Sequence, residues 1–185
     1  MKKFLVIIWI VFLFRQVEAQ ADSVAAFFIG GNLNVPEMLF GFNGGKIYSD
    51  KVGFYFLAAY TFNAPGEDFY YDNISINKAR YDFRDREEGI KTSYMNFEGG
   101  LILHIYKKMF IRGGIGYQQE GKYYKFHDDM GILGVDGEYY PESEIESGVG
   151  LSAGLMFIIS ESYLVSLGYN AGVFSGVEFS FSFLR

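Results

Sequence analysis

A two-residue alternation from Lys91 to Glu120, held on each side of a short polar break, constrains this chain more than any other feature. Met95, Phe97, Gly99, Leu101, Leu103 and Ile105 hold the odd positions of its first half; Asn96, Glu98, Gly100, Ile102 and His104 hold the even ones. After the break Tyr106-Lys107-Lys108-Met109 the pattern resumes. Ile111, Gly113, Ile115 and Tyr117 lie on one side, with Arg112, Gly114, Gly116, Gln118 and Glu120 on the other. A helix repeats every 3.6 residues, so a period of two on both arms of a short polar break marks an antiparallel hairpin. One face of that hairpin is apolar and uncharged. The other mixes glycine with a few polar groups.

The same alternation recurs along the chain. Ala25 to Asn34 reads as a first strand, ended by Val35-Pro36-Glu37 because proline cannot donate to a ladder. Leu39 to Tyr48 is a second, with Lys46 on its apolar side near the membrane edge, where a long cation can snorkel. Ser49-Asp50 is a tight turn. Val52 to Asn63 is a third strand, with Phe54, Phe56, Ala58, Tyr60 and Phe62 on one face. The hairpin supplies strands four and five. Ile145 to Ile159, the run from Tyr163 to Ala171, and the run from Val177 to Phe183 complete eight. Residues 64–90 form the longest connection, polar and tyrosine-rich, in which 74–83 is expected to extend strands beyond the bilayer. A second polar connection covers 127–144. Long loops after strands three and five, with short turns after two, four and six, match the outer-membrane pattern.

The beginning of the chain is of a different kind. Met1-Lys2-Lys3 is basic, Phe4 to Phe14 is an apolar run of eleven residues, and Val17-Glu18-Ala19 places small residues before a cleavage point. Eleven residues are too few for a spanning helix, which needs roughly 20, so residues 1–19 read as a signal peptide and 20–185 as one domain. Removing Lys2, Lys3, Arg15 and Glu18 from 16 basic and 22 acidic residues leaves 13 and 21, a net charge of −8. An acidic exported domain argues against nucleic acid as partner. With no cysteine in the chain, disulfides and lipoprotein anchoring are excluded.

A soluble eight-stranded barrel such as a lipocalin would also alternate. Its exterior, however, would carry many lysines and carboxylates, whereas the polar face here is mostly glycine, serine and asparagine. Small residues with a few charges suit the inside of a narrow barrel, and a phenylalanine-rich face without mid-strand charge suits lipid. The only tryptophan, Trp9, lies in the signal segment, so the lipocalin Gly-x-Trp signature is missing. Tyr48, Tyr106 and Tyr163 at one end, with Tyr60, Tyr94 and Tyr117 towards the other, read as aromatic girdles. The signal segment, eight alternating strands and phenylalanine-rich last strand resemble the small outer-membrane β-barrel family of OmpA/OmpX type. The expected fold is therefore all-β: an eight-stranded antiparallel transmembrane β-barrel, an up-and-down meander. The resemblance also implies an assembly signal at Gly176, Phe179, Phe181 and Phe183, although this chain ends Phe183-Leu184-Arg185 where relatives end in an aromatic residue.

Glu98, His104, Arg112, Gln118, Glu120 and Glu178 are the candidate lumen residues. With a three-residue hairpin turn, His104 would lie opposite Arg112, Glu98 opposite Gln118, and Asn96 opposite Glu120. Buried charges must be paired, so a Glu–Arg network is expected for structure; gating or ion passage is the alternative. His127-Asp128-Asp129 with Asp136 and Glu138 matches no recognised calcium loop and reads as a solvated acidic segment. His104 sits at the wrong end for the lipid A-modifying barrels, and their His-x-Ser-Asn pattern is absent. No catalytic residue, metal or cofactor is assigned. The expected role is non-enzymatic: envelope integrity or surface interaction, with a small pore or hydrophobic-ligand conduit as alternative. Expected partners are outer-membrane lipids and lipopolysaccharide, the assembly machinery, and a surface partner reached through 64–90 and 127–144.

Overall fold

Among the described residues nine β-strands follow one another, and eight of them close on themselves. The computed structural model describes residues 25–48, 51–61, 63, 65, 71, 73–129, 131, 137–141 and 143–185. The signal segment 1–19, the Ser49-Asp50 turn, Phe62 and Asp136 lie outside the described residues. The strands are β1 (Ala25–Val35), β2 (Leu39–Tyr48), β3 (Val52–Tyr60), β4 (Arg86–Tyr106), β5 (Met109–His127), β6 (Glu138–Tyr139), β7 (Glu144–Ser160), β8 (Tyr163–Ala171) and β9 (Gly176–Leu184). Each barrel strand pairs antiparallel with its neighbours, β1 with β9 and β4 with β5 closing the ring. The two-residue β6 adds to the outer end of β5. The result is an eight-stranded antiparallel transmembrane β-barrel.

The side-chain distribution is inverted relative to a water-soluble barrel. Phe42 is 72% exposed, Ile29 65%, Val149 66% and Leu151 62%, while Glu98, Arg112, Gln118 and Glu178 are buried. Strands alternate sides every residue, so once the apolar set faces out, the polar set must fill the lumen. Closure into a narrow ring also removes strand edges within the belt, as lipid requires because it offers backbone groups no partner. Strands β3, β8 and β9 have 9 residues each, whereas β4, β5 and β7 have 21, 19 and 17. About 9–11 residues suffice to cross a bilayer as a tilted strand. The surplus of the three long strands therefore stands beyond the belt, all at the same end.

Three expectations are corrected. Residues 74–83 are not extended: a π-helical turn covers Lys78–Phe83, and the Asp85 N–H closes it on the Ala79 carbonyl at 3.1 Å beyond left-handed Arg84. Winding rather than extension lets Ile74 and Ala79 both face Phe126 and Tyr139. Strand β4 instead starts at Arg86, inside the supposed loop. The hairpin register also differs. Lys107 takes a φ of 48°, the turn is two residues long, and a bulge lies between His104 and Tyr106. Arg112 consequently faces Ile102, Glu98 faces Gly116, Asn96 faces Gln118 and Tyr94 faces Glu120. Finally, Tyr94 points inward, 5.1 Å from the Phe174 ring, whereas Tyr60, Tyr106 and Tyr163 point outward at strand ends and Tyr117 points outward midway along β5.

Candidate functional site

The polar centre of the lumen is built around Arg112. Its Nη2 donates to Glu178 Oε1 at 2.6 Å, and its Nη1 lies 3.6 Å from Glu98 Oε1. The same Glu98 oxygen accepts from the Ser152 hydroxyl at 2.5 Å and from the Tyr55 hydroxyl. Tyr55 and Ser152 also contact each other at 2.9 Å, and the guanidinium stands 5.1 Å over the Tyr55 ring. One cation thus bridges carboxylates from β4 and β9, and two hydroxyls from β3 and β7 complete the ring. Inward glycines make the space. A methyl group at Gly168 would sit 2.4 Å from Arg112 Nη2, and one at Gly114 would sit 2.3 Å from the Tyr55 hydroxyl. The small residues on the lumen face are counterweights to the few large ones.

Apolar packing closes the space on both sides of that ring. Towards the short-turn end, Phe28, Ile47, Ile102, Phe110, Met156 and Leu164 form a buried cluster that also takes the Tyr55 ring. Towards the other end, Leu39, Leu57, Ala59 and Phe174 form a second cluster, flanked by Tyr94 and Val173. Between and around them lie hydroxyl and amide pairs, Ser166 with Ser180 at 2.6 Å and Ser182 to Asn43 at 3.1 Å. The lumen is a packed core with a polar layer through its middle. In that layer a single cation is shared between two acids.

Of the residues singled out in the sequence, Glu98, Arg112 and Glu178 come together, and Gln118 is buried in the lumen further out. His104 does not join them. Its Nε2 meets the Lys107 carbonyl at 2.7 Å, and its ring packs at a tilt, 5.0 Å from that of Phe110 at the turn. Glu120 stands above the lumen, 3.7 Å from Lys122 Nζ. Sequence reasoning passed over Tyr55 and Ser152. Both carry the lumen parity, which was the available signal, but parity gives the face and not the depth at which residues of different strands meet.

The second candidate is the lobe beyond the belt. Ile74, Ala79, Phe126 and Tyr139 form its apolar centre, with Tyr71, Ile76, Phe83 and Tyr124 packed around them. Asp85, nearly buried, accepts from the Tyr139 hydroxyl at 2.6 Å; burial first, and then that carboxylate, push the Tyr139 phenol well above its usual range. Backbone ties hold the lobe down: the Tyr71 N–H donates to the Tyr140 carbonyl at 2.8 Å and Asp128 to Gly137 at 2.7 Å. The lobe's outer surface is mixed in charge. Arg80 pairs with Glu87 at 2.6 Å, and Lys125 bridges Glu88 at 3.1 Å and Glu138 at 2.6 Å. The Lys125 bond holds the Glu88 carboxyl below its ordinary value, and the Glu138 and Glu88 bonds hold Lys125 above its own. Among the described residues, no group of three His, Asp or Glu side chains is placed to hold a metal ion.

On β9, Phe179, Phe181 and Phe183 face outward, and Tyr163 of β8 packs 5.4 Å from Phe181 and 5.6 Å from Phe183. Gly176 faces inward at the top of that strand.

The architecture has solved counterparts. The crystal structure of Ail, the attachment invasion locus protein of Yersinia pestis, matches with a TM-score of 0.51 at 14% identity, over 87% of this chain and 97% of that one. Ail in complex with the heparin analogue sucrose octasulfate matches equally, at 12% identity over the same shares of both chains. The fold is that of the small eight-stranded outer-membrane β-barrels. The N-terminal β-barrel domain of Pseudomonas aeruginosa OprF superposes less closely, with a TM-score of 0.40 at 11% identity over 87% of this chain and 97% of that one. No protein-family model and no curated protein matches the chain.

Proposed function

We propose that this protein is a non-enzymatic barrel of the outer membrane, delivered through a signal peptide at 1–19, whose ordered outer lobe makes contacts at the cell surface. The observation that carries the reading is the contrast between a filled lumen and a built lobe. Apolar clusters above and below the Arg112 layer leave little room for a water column, which favours the surface role over the pore or ligand conduit. The lobe instead devotes its own apolar centre to holding a hairpin above the belt. Surface orientation follows from the short turns at the opposite end, since outer-membrane barrels keep short turns in the periplasm and long loops outside. In this orientation the apolar belt meets phospholipid and lipopolysaccharide, and Gly176, Phe179, Phe181 and Phe183 present the assembly machinery with its recognition pattern.

The lobe offers a particular kind of contact. Residues Arg86 to Ser93 of β4 pair with β5 on one side, and among the described strands none lies on the other. Such an edge accepts an added strand. Arg86, Glu87, Glu88 and Lys91 decorate it, and charges on an edge strand discourage indiscriminate pairing. A fitting partner would be an extended segment with matching charges. Ail is named for attachment and has been seen with a heparin analogue; in this chain Arg80, Arg86, Lys122 and Lys125 all lie against carboxylates, which speaks against a sulfated polyanion on the lobe.

The test is complementation of a strain lacking the gene by a form without 69–86. That deletion removes the π-helical turn and only the first residue of β4, beyond the belt, so the shortened protein is expected to keep heat-modifiable gel migration. Surface attachment should be lost to the level of the null strain, while resistance to detergents should be retained. Full complementation of attachment by the shortened form would overturn the surface reading and leave envelope integrity. Planar-bilayer recording of the intact protein should be silent; steady step currents would favour the pore.

A further inference from the structure

The outer mouth of the lumen, away from the short turns after β2, β4 and β7, gathers oxygens that have no donor to accept from. Gly176 opens β9 there, facing inward, with Asn170 of β8 as its cross-strand partner. Leaving aside the glycine's own chain neighbours, the three heavy atoms nearest to where a Cβ on Gly176 would stand are all oxygens. Asn34 Oδ1 is the closest, and Glu37 Oε2 and the Val35 carbonyl both lie at 2.8 Å. Any side chain at 176 would fill that point, so the glycine keeps it open. Asn34 and Asn170 are only 2% and 1% exposed. Among the described residues, Asn34 Oδ1, Glu37 Oε2 and both amide atoms of Asn170 are buried without a hydrogen-bond partner.

Buried acceptors are as a rule satisfied, and a buried carboxylate oxygen is costly without a counter-charge. The surroundings give no relief: Leu39 stands opposite Asn34, and Leu39 and Phe174 belong to the outer apolar cluster. Further in, Glu178 stands opposite Asn34 and shares one arginine with Glu98, and its Oε2 is unpartnered too. The mouth is thus negative and rich in acceptors, which suits a cation and repels an anion. A carboxylate, amide carbonyls and a backbone carbonyl are the donor set of a hard cation. Calcium takes roughly six to eight such oxygens in loose geometry, whereas magnesium demands a near-ideal octahedron. Oxygens drawn from a turn and two strands meet the looser requirement. With a single carboxylate in the shell, the cluster differs from the groups of three His, Asp or Glu considered above. We infer that the mouth of the barrel binds one calcium-class divalent cation, held by Glu37 Oε2, Asn34 Oδ1, the Val35 carbonyl and Asn170 Oδ1, with water completing the shell. Such an ion ties β1 to β8 beside β9, across the seam where the ring closes. The inference needs the barrel alone, not the surface role of the lobe.

The test titrates calcium chloride into the mature protein, folded in zwitterionic micelles and stripped of metal by chelator, and reads the heat of binding. Heat-modifiable gel migration checks that each variant is folded. The wild type should bind one calcium with a Kd on the order of 0.1–1 mM, the range of extracellular calcium modules, and magnesium more weakly. Absence of saturable calcium binding, or equally tight magnesium binding, would overturn the site. Glu37→Gln keeps the shape and removes the charge, and should weaken calcium binding by roughly tenfold or more. Glu120→Gln removes another carboxylate above the lumen, one that already meets Lys122, and should change nothing; an equal loss there would replace the site by diffuse charge at the mouth. Asn34→Asp adds a second carboxylate to the shell and should tighten calcium binding, because ligand charge sets affinity. Were the Asn34 amide merely donating to Glu37, the aspartate would gain a repulsion and bind calcium no better, and the proposal would fall. That variant decides the question even if Glu37→Gln does not fold.

Discussion

Two arginine–glutamate pairs in this molecule have the same length and opposite circumstances. Arg112 Nη2 and Arg80 Nη2 each lie 2.6 Å from a glutamate oxygen. The lumen pair is 3% and 2% exposed, whereas the lobe pair is 39% and 33% exposed. Water solvates Arg80 and Glu87 whether they touch or not, so their contact decides little. Arg112, out of reach of water, is met by Glu98, Glu178 and the face of the Tyr55 ring. Distance alone does not rank these interactions; the medium does. The lumen pairs its charges away from water, and the lobe can hold its charges loosely because an apolar cluster keeps it in shape.

The comparison can be broken most directly at Arg112. Arg112→Leu strands two carboxylates in the lumen, and removing one partner of a buried ion pair typically costs about 3–5 kcal/mol; urea unfolding in micelles followed by gel mobility should show a loss of that order. If stability were unchanged, the brace would be dispensable. Gly168→Ala should come next. The added methyl lies 2.4 Å from Arg112 Nη2 and 3.2 Å from the Ala153 carbonyl, and overpacking of this kind costs roughly 1–3 kcal/mol, read by the same titration.

Changes in the lobe should leave barrel unfolding alone. Tyr139→Phe leaves the buried Asp85 carboxylate without its donor, a loss of about 1–3 kcal/mol confined to the lobe. Faster amide exchange in 71–85 with an unaltered barrel midpoint is the expected signature; a shifted barrel midpoint would show that the two regions are coupled. The smallest effect is pH-dependent. Glu88 is held below its ordinary value of 4.5 chiefly by Lys125, so its contribution is complete above about 4.5 and fades as pH falls through the lowered value. Lys125 is held above 10.5, so its share is complete below 10.5 and fades as pH rises through the raised value. Amide protection in 86–91 should fall at the acid end and weaken with added salt, which screens exposed pairs, while protection of the Arg112 layer should ignore salt.

Much of the barrel could be read in the chain because a strand's faces alternate locally. Phe27, Phe42, Leu101 and Val149 announce their outward side through their own neighbours, and Glu98, Arg112 and Glu178 announce the inward one. What could not be read is the level at which strands meet. Glu98 falls opposite Gly116 because of a bulge at His104 and a two-residue turn at Lys107, and either device shifts every pairing beyond it. Tyr55 and Ser152 were therefore invisible as partners of Glu98, although both had the right parity. Residues 64–90 misled for a related reason. Their charges carry no period, and the π-helical turn at Lys78–Phe83 is imposed by Phe126 and Tyr139, far along the chain.

The sequence by itself determined an eight-stranded ring with phenylalanine outside and glycine, serine and a few charges within, because side-chain alternation and the need to satisfy every backbone group in lipid allow little else. Only the tertiary structure decided that one arginine braces two acids, that the lumen is filled above and below it, and that the longest connection folds into a lobe. Those outcomes depend on strand register and on contacts between distant residues. A two-residue period records neither.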